Sequence, residues 1–199
     1  MSRAFAILGA ALLLVAALTG LTAREEQLRQ SGREVMLSIQ AVDPRDLLTG
    51  HSVAMNIQQT LAPGAACPPG AASQPDIPAP FSRGARHAPQ WVALSPVGDH
   101  AAPSGMAASQ AAALRLGPVA VRGRLSCVAA AEGLPAVVTL DIGASRFHAS
   151  QADAEAMASA LQQGQNPPPA YAIVSIGADG RARLKGVQIA GKRSMLSWF

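Results

Sequence analysis

The chain reads as an α+β protein, with an N-terminal transmembrane helix followed by a mostly antiparallel β domain with one or two short helices. Three observations predict this. Ala4 to Ala23 (AFAILGAALLLVAALTGLTA) carries no charge, and twenty helical residues at about 1.5 Å each span roughly 30 Å, the hydrocarbon thickness of a bilayer. Beyond it, most short segments alternate apolar and polar residues, the period of a half-buried strand. Clusters of Gly, Pro, Asp and Asn separate those segments at short intervals, as turns do. The expected organisation is a membrane anchor with a helical extension over 1–32 and a single β-rich domain over 33–199. A Pro/Gly/Ala-rich loop at 61–89 interrupts that domain.

Nine residues of the apolar run favour insertion: Phe5, Ile7, Leu8, Leu12, Leu13, Leu14, Val15, Leu18 and Leu21. At about −0.3 to −0.6 kcal/mol each they outweigh the near-neutral Ala, Gly and Thr between them. A secretory signal usually has a shorter apolar core and small residues at both ends of a small-x-small cleavage site. Leu21-Thr22-Ala23 meets only half of that pattern, so the segment is read as a retained anchor, with cleavage after Ala23 as the alternative. Arg3 is cationic while Arg24 is offset by Glu25 and Glu26. The positive-inside rule then keeps the N-terminus cytoplasmic and sends the bulk of the chain to the periplasm of a bacterial inner membrane.

Along the chain, Arg24 to Gly32 extends the anchor helix by two turns, with Gly32 as its C-terminal stop. Glu34 to Gln40 is a strand with Val35, Leu37 and Ile39 on one face. Asp43-Pro44-Arg45-Asp46 is a tight turn, Pro44 presetting φ. His51 to Gln58 is a second strand, with Val53, Met55 and Ile57 apolar. Leu61 to Pro89 has no usable period and reads as a loop or a locally disordered insertion. Gln90 to Ser95 is a short strand, His100 to Gly105 a loop, and Met106 to Ala113 is ambiguous between helix and strand. Val119 to Val128 and Ala136 to Ile142 alternate as strands. Gln151 to Gln163 is the best helix after the anchor, with Ser150 as N-cap and Gly164 past its end. Tyr171 to Ile176 and Ala182 to Ile189 form a hairpin closed by Ala178-Asp179-Gly180-Arg181, and Gly191-Lys192 turns into a last short strand. The total is about eight strands.

Composition narrows the function classes. The net charge is +4, from 16 Lys and Arg against 12 Asp and Glu. These cations are scattered, without a basic run or interleaved aromatics, so nucleic acid is not an expected partner. Aromatics make up 4%, which leaves the core to Val, Ile, Leu, Met and Ala. Cys67 and Cys127 are the two cysteines. In an oxidising compartment one bridge could staple the 61–89 loop to the body; two unrelated thiols is the other reading. Two cysteines sixty residues apart and four scattered histidines show no metal-ligand spacing, and no cofactor is expected.

Candidate catalytic groups stay isolated. Lys185 on a hairpin strand has no serine marked out as a nucleophile to pair with. Asp43 and Asp46 bracket Arg45 and would serve acid/base work if they converged with Asp141 and His148. The same aspartates also suit a solvated turn that caps its own backbone, and alternation turns Asp141 outward. Gly191-Lys192 lacks the upstream glycines of a phosphate loop.

The stretch from Val42 to Ser52 (VDPRDLLTGHS) resembles the signature region of the bacterial GDYXXLXY-domain family. Its members typically carry an N-terminal membrane segment and then a DPRDLLRGDY-type sequence. Here DPRDLL and Gly50 match, while His51, Ser52, Met55 and Ile57 stand where the family has Asp, Tyr, Leu and Tyr. Val121 to Leu125 (VRGRL) is similar to the family's central strand. Leu140 to Leu161 is similar to its segment ending in an acidic helix, with Phe147-His148-Ala149-Ser150-Gln151 replacing an FVPEG-like stretch. Ala178 to Ala182 with Gly191-Lys192 resembles its C-terminal hairpin. The resemblance implies an envelope protein with an accessory role beside a polytopic membrane protein. It marks Asp43, Pro44, Arg45, Asp46 and Gly50 as a motif without an assigned role. The alternatives are an envelope hydrolase or peptidase-like enzyme with dispersed site residues, and a secreted periplasmic binding protein.

Overall fold

A computed structural model of the chain describes residues 3–41, 52–72, 90–128, 135–144, 146–148 and 168–196. The first element, α1 (Arg3–Ser31), carries the apolar run and its polar extension in one continuous helix. Within it, Ile7–Ser31 is long and apolar enough to cross a membrane, with a mean hydropathy of 1.9. Large side chains such as Leu13 (74% exposed) and Phe5 (71%) lie free on its surface. A soluble helix hides such a surface; a membrane helix presents it to lipid.

Gly32 ends α1 and the chain passes at once into β1 (Arg33–Ala41). Ten strands follow among the described residues: β1, β2 (Ser52–Thr60), β3 (Gln90–Val97), β4 (His100–Ala107), β5 (Val119–Val128), β6 (Val137–Asp141), β7 (Arg146–His148), β8 (Ala170–Ile176), β9 (Ala182–Ile189) and β10 (Lys192–Met195). The one further helix among the described residues is the single turn α2 (Gln110–Ala113), capped by the Ser109 hydroxyl accepting from the Ala112 N–H. The fold class is α+β, as the sequence predicts. Its antiparallel character holds for every pairing of these strands except β1 with β4, which is parallel at Leu37 and Ala101.

Two expectations are corrected. The described residues alone hold ten strands rather than about eight, and His100 to Gly105 is not a loop but most of β4, pairing antiparallel with β3 from Val97–His100 to Trp91–Ala107. The segment HAAPSGMA lacks alternation because both of its faces are half-covered, so neither period shows in its residues. The helix expected over 151–163 lies outside the described residues. Of the loop expected at 61–89, residues 61–72 are described and contain no strand beyond a single bridge at Ala72.

The strand pairings run β10-β9-β8-β1-β4-β3-β5-β6-β2-β7, and β1 also pairs with β2. The path β1-β4-β3-β5-β6-β2 therefore returns to β1. One parallel and five antiparallel pairs cannot close a ring of straight, flat strands. Twist of about 20–25° per pair makes closure possible, together with a change of direction in the two strands that serve both halves. β1 pairs with β8 over 33–38 and with β2 over 39–41; β5 pairs with β3 over 119–123 and with β6 over 124–128. Gly123 sits at that switch, and a Cβ there would come within 2.6 Å of the Asp141 carbonyl oxygen. Gly123→Val is expected to lower stability by about 1–3 kcal/mol through overpacking. A urea midpoint unchanged from wild type would show that the switch tolerates a side chain.

The ring closes on one apolar core. Val35, Leu37 and Ile39 of β1 all enter it, with Val92, Leu94, Val121, Leu125, Val138, Leu140 and Val174. β3 and β8 read as continuous apolar runs because both faces are used. α2 covers the other face of β3, where Ala93, Ala113 and Ala120 form a small second cluster. α1 packs on β8 and β9, and β8 buries Ile173 and Ser175 as well as Ala172 and Val174.

Candidate functional site

The motif Asp43, Pro44, Arg45, Asp46 and Gly50 lies outside the described residues. Its flanks are defined: it joins β1 to β2, whose ends pair antiparallel with Ala41 opposite Met55. The motif thus follows the end of β1 remote from α1, eight residues and up to about 26 Å along the strand from Arg33. β7 pairs with the start of β2, placing the backbone of His148 opposite Ser52.

The other sequence candidates are placed individually. Asp141 is exposed at the end of β6, pairs with Arg124 at 3.2 Å and accepts from the Gly143 N–H at 2.9 Å. Both side chains of that pair are about half exposed, so it is a solvated contact worth at most about 1 kcal/mol. Lys185 on β9 holds Glu34 of β1 at 2.8 Å. His100 lies 3.3 Å from Asp99 and stacks on Tyr171 with ring centroids 5.2 Å apart. Among the described residues no three His, Cys, Asp or Glu side chains group as metal ligands. A cleft bounded by Leu37, Ile57, Ala101, Val138 and Leu140 offers about 10 Å³, room for about one water.

Cys67 and Cys127 are joined by a disulfide, their Cα atoms 5.9 Å apart. Cys127 is on β5 and 2% exposed. The loop around Cys67 is further tied by backbone hydrogen bonds. Ala72 N–H donates to Leu125 O (3.0 Å), Cys127 N–H to Ala72 O (2.9 Å) and Met106 N–H to Pro69 O (2.8 Å). Residues 61–72 are therefore an ordered strap over β5 and β4, which their Pro and Gly content did not reveal.

A polar cluster around a buried arginine lies elsewhere, where α1 meets the domain. Arg183 on β9 is 8% exposed, donates through Nε to Glu25 of α1 at 2.5 Å, and holds Asp179 at 3.1 Å. Asp179 first, and then Glu25, raise the pKa of Arg183 against the opposing effect of burial. Arg183 in turn holds the Asp179 carboxyl below its ordinary value, helped by the Arg181 N–H. One turn of helix further on, Arg29 is fixed by Glu26 at 2.8 Å and reaches the Leu196 carbonyl at 3.2 Å. The β8–β9 turn docks next to this cluster. Gly180 has φ +74, and an added Cβ would run into the Trp91 ring, which also carries the Arg122 guanidinium 5.0 Å from its centroid. The Arg122 N–H donates to Gly180 O at 2.8 Å. Sequence reading marked the Asp-Gly turn but not Arg183, because Glu25 is 158 residues away and no local spacing announces the pair.

A family model, described as GDYXXLXY protein, matches residues 14–187. The chain belongs to this family. The match runs from the middle of the apolar helix through nearly all of β9, and so takes in the unresolved-role motif, the Cys67–Cys127 strap and the Arg183 cluster together. No curated protein and no solved structure matches the chain. The family description names a sequence motif and no reaction, so the polar junction and the strap stand as the features any function must accommodate.

Proposed function

We propose that this chain is a single-pass envelope protein of the bacterial inner membrane, acting as a non-catalytic accessory or interaction module for a polytopic membrane protein. The observation that carries this reading is the junction: an apolar helix long enough to span a bilayer, continuous with an extension clamped to the domain by Glu25–Arg183 and Arg29–Leu196. A domain fixed to its helix in this way moves with the helix, which suits a subunit that sits against another membrane protein. Arg3 before the apolar run, and acids beside Arg24 after it, support a cytoplasmic N-terminus and a periplasmic domain. The Cys67–Cys127 bridge fits the oxidising side of the membrane.

Two measurements test this. Thiol alkylation of the protein as made in cells is expected to leave both cysteines unmodified until a reductant is added. Ready labelling in intact, unreduced cells would place the domain on the cytoplasmic side. Crosslinking of the tagged full chain in native membranes is expected to capture a stoichiometric multi-span protein. Capture of nothing above background, with purification as a lone species in mild detergent, would remove the accessory reading.

A further inference from the structure

The two sulfurs of the Cys67–Cys127 bridge are not equivalent. Cys127 lies on β5 opposite Val138 of β6 and is buried in the main apolar core. Cys67 packs against that core from the strap and is only half-buried. Ala65 and Ala66 before it, and Pro69 and Gly70 after it, are exposed.

The strap is seated by more than the bridge. Ala65 N–H donates to Ala62 O at 3.0 Å and Ala71 N–H to Pro68 O at 3.2 Å, which makes a turn on either side of the cysteine. Ala72 is joined to Leu125 and Cys127, and Pro69 to Met106. A Cβ on Gly70 would come 3.0 Å from Met106 O, so the strap lies directly on β4. Between the two turns the backbone is open. Pro68 has no N–H, and Cys67 makes no backbone hydrogen bond with the described residues. The pairing of β5 with β6 over 124–128 uses none of these groups.

Thiol–disulfide exchange depends on which sulfur a thiolate can reach and on what leaves. The attacking thiolate comes in line with the bond that breaks, from the far side of the sulfur attacked. Cys127 is buried, so no such line reaches its sulfur from solvent. Attack at Cys67 expels Cys127 as a thiolate into apolar surroundings that disfavour its charge. The seated strap keeps it beside the sulfur it has left.

We propose that Cys67 is the exchange site of this domain, that Cys127 is the buried resolving sulfur, and that the partner is a dithiol oxidoreductase. In bridge formation the Cys67 thiolate attacks the partner's disulfide. A bond from Cys67 Sγ to the partner forms, the partner's own S–S bond breaks, and its second sulfur leaves as a thiolate and takes up a proton. Cys127 then loses its proton to water and attacks Cys67 Sγ; the bridge forms, the mixed disulfide breaks, and the partner departs as a dithiol. Two electrons and two protons pass from the cysteines to the partner. Opening runs through the same mixed disulfide on Cys67. None of this depends on the accessory reading above.

The test uses the full chain in detergent with one cysteine at a time: Cys127→Ala leaves Cys67, and Cys67→Ala leaves Cys127. Hydroxyethyl disulfide, small and neutral, is the probe, and mass spectrometry follows the mixed disulfide it forms. Cys67 is expected to react about tenfold faster than Cys127, and the two rates should agree within about twofold in denaturing urea. Equal rates without urea, or a faster Cys127, would overturn the proposal. Fully reduced wild type carries the same comparison with every other side chain in place, whether or not the alanine variants fold. A limiting neutral alkylating reagent should label Cys67 first in peptide maps, and equal labelling or Cys127 first would again overturn it. In acid-quenched cells, Cys127→Ala should carry a reductant-sensitive adduct through the active-site cysteine of an oxidoreductase, and Cys67→Ala should carry none. No adduct on Cys127→Ala would overturn the oxidoreductase as partner.

Discussion

Removing the Cys67–Cys127 bridge is expected to lower the stability of the domain by about 4 kcal/mol. The bridge closes a loop of sequence separation 60, and the chain-entropy relation for a loop of that length gives roughly that value at 25 °C. For a domain of this size, about 4 kcal/mol corresponds to a fall in Tm of about 8–16 °C. The loop it closes carries β3, β4 and α2, that is, most of one arc of the ring. In the unfolded chain the bridge ties these elements to β5 before they pair, and in the folded chain it pins the strap at 61–72 over β5. Two routes remove it. Cys67→Ala with Cys127→Ala deletes the sulfurs, and the alanine at 127 also leaves a small void beside a position 2% exposed. Reduction of the wild-type protein keeps the volume and breaks only the bond. Thermal unfolding of the full chain in detergent, followed by Trp91 fluorescence, should show nearly the same shift by both routes. A shift below about 2 °C in the reduced protein would mean that the backbone bonds from Ala72 and Pro69 already hold the strap.

Much of this fold is legible in the residues because local and tertiary demands coincide. β1 alternates strictly, Val35, Leu37 and Ile39 inward, because only one of its faces meets the core. β5 and β9 appear at their full observed lengths because apolar and polar residues alternate along most of each, with Gly117 ahead of β5 and Gly180 and Gly191 on either side of β9. The legibility fails where a second layer is added. β4 hides its period because the 61–72 strap and the 114–118 segment lie against it; Gly70 approaches Met106 and Gly105 approaches Leu116. β8 reads as continuously apolar because α1 covers its outer face. The parallel pairing of β1 with β4 and the closure of the ring are properties of strand order, which no local period records. The site shows the same division. A turn motif, two cysteines and an Asp-Gly hairpin are local patterns and can be seen in the chain. The clamp between α1 and β9 joins residues from opposite ends of the sequence, and each of its members, read alone, is an ordinary surface charge.

That clamp gives the second large effect, and its sign depends on which partner is removed. Arg183 is 8% exposed, while the side chains of Glu25 and Asp179 are 62% and 43% exposed. If Arg183→Ala deletes the cation, both carboxylates can be hydrated where they stand, and the loss is that of charged hydrogen bonds and a packed stem, about 1–2 kcal/mol. If Glu25→Ala and Asp179→Ala delete the acids, the guanidinium is left covered and unpaired, and the loss is larger, about 3 kcal/mol. The double carboxylate variant should therefore unfold at lower denaturant than Arg183→Ala, although it removes the more exposed groups. The reverse order would show that Arg183 contributes mainly through its stem. Acid separates the charge contribution from the packing. Asp179 has its pKa lowered by Arg183, so its contribution is present above the unfolded carboxylate value near 3.9 and is lost as pH falls through the lower folded value. Wild type should lose stability over that interval faster than Asp179→Asn, with the two curves running parallel above about pH 5. Hydrogen exchange provides the structural readout. Amides of residues 24–33 should exchange faster in the double variant, because with Glu25 gone the helical extension loses its ion pair to β9 and keeps the Arg29–Leu196 contact and its packing on β8 and β9.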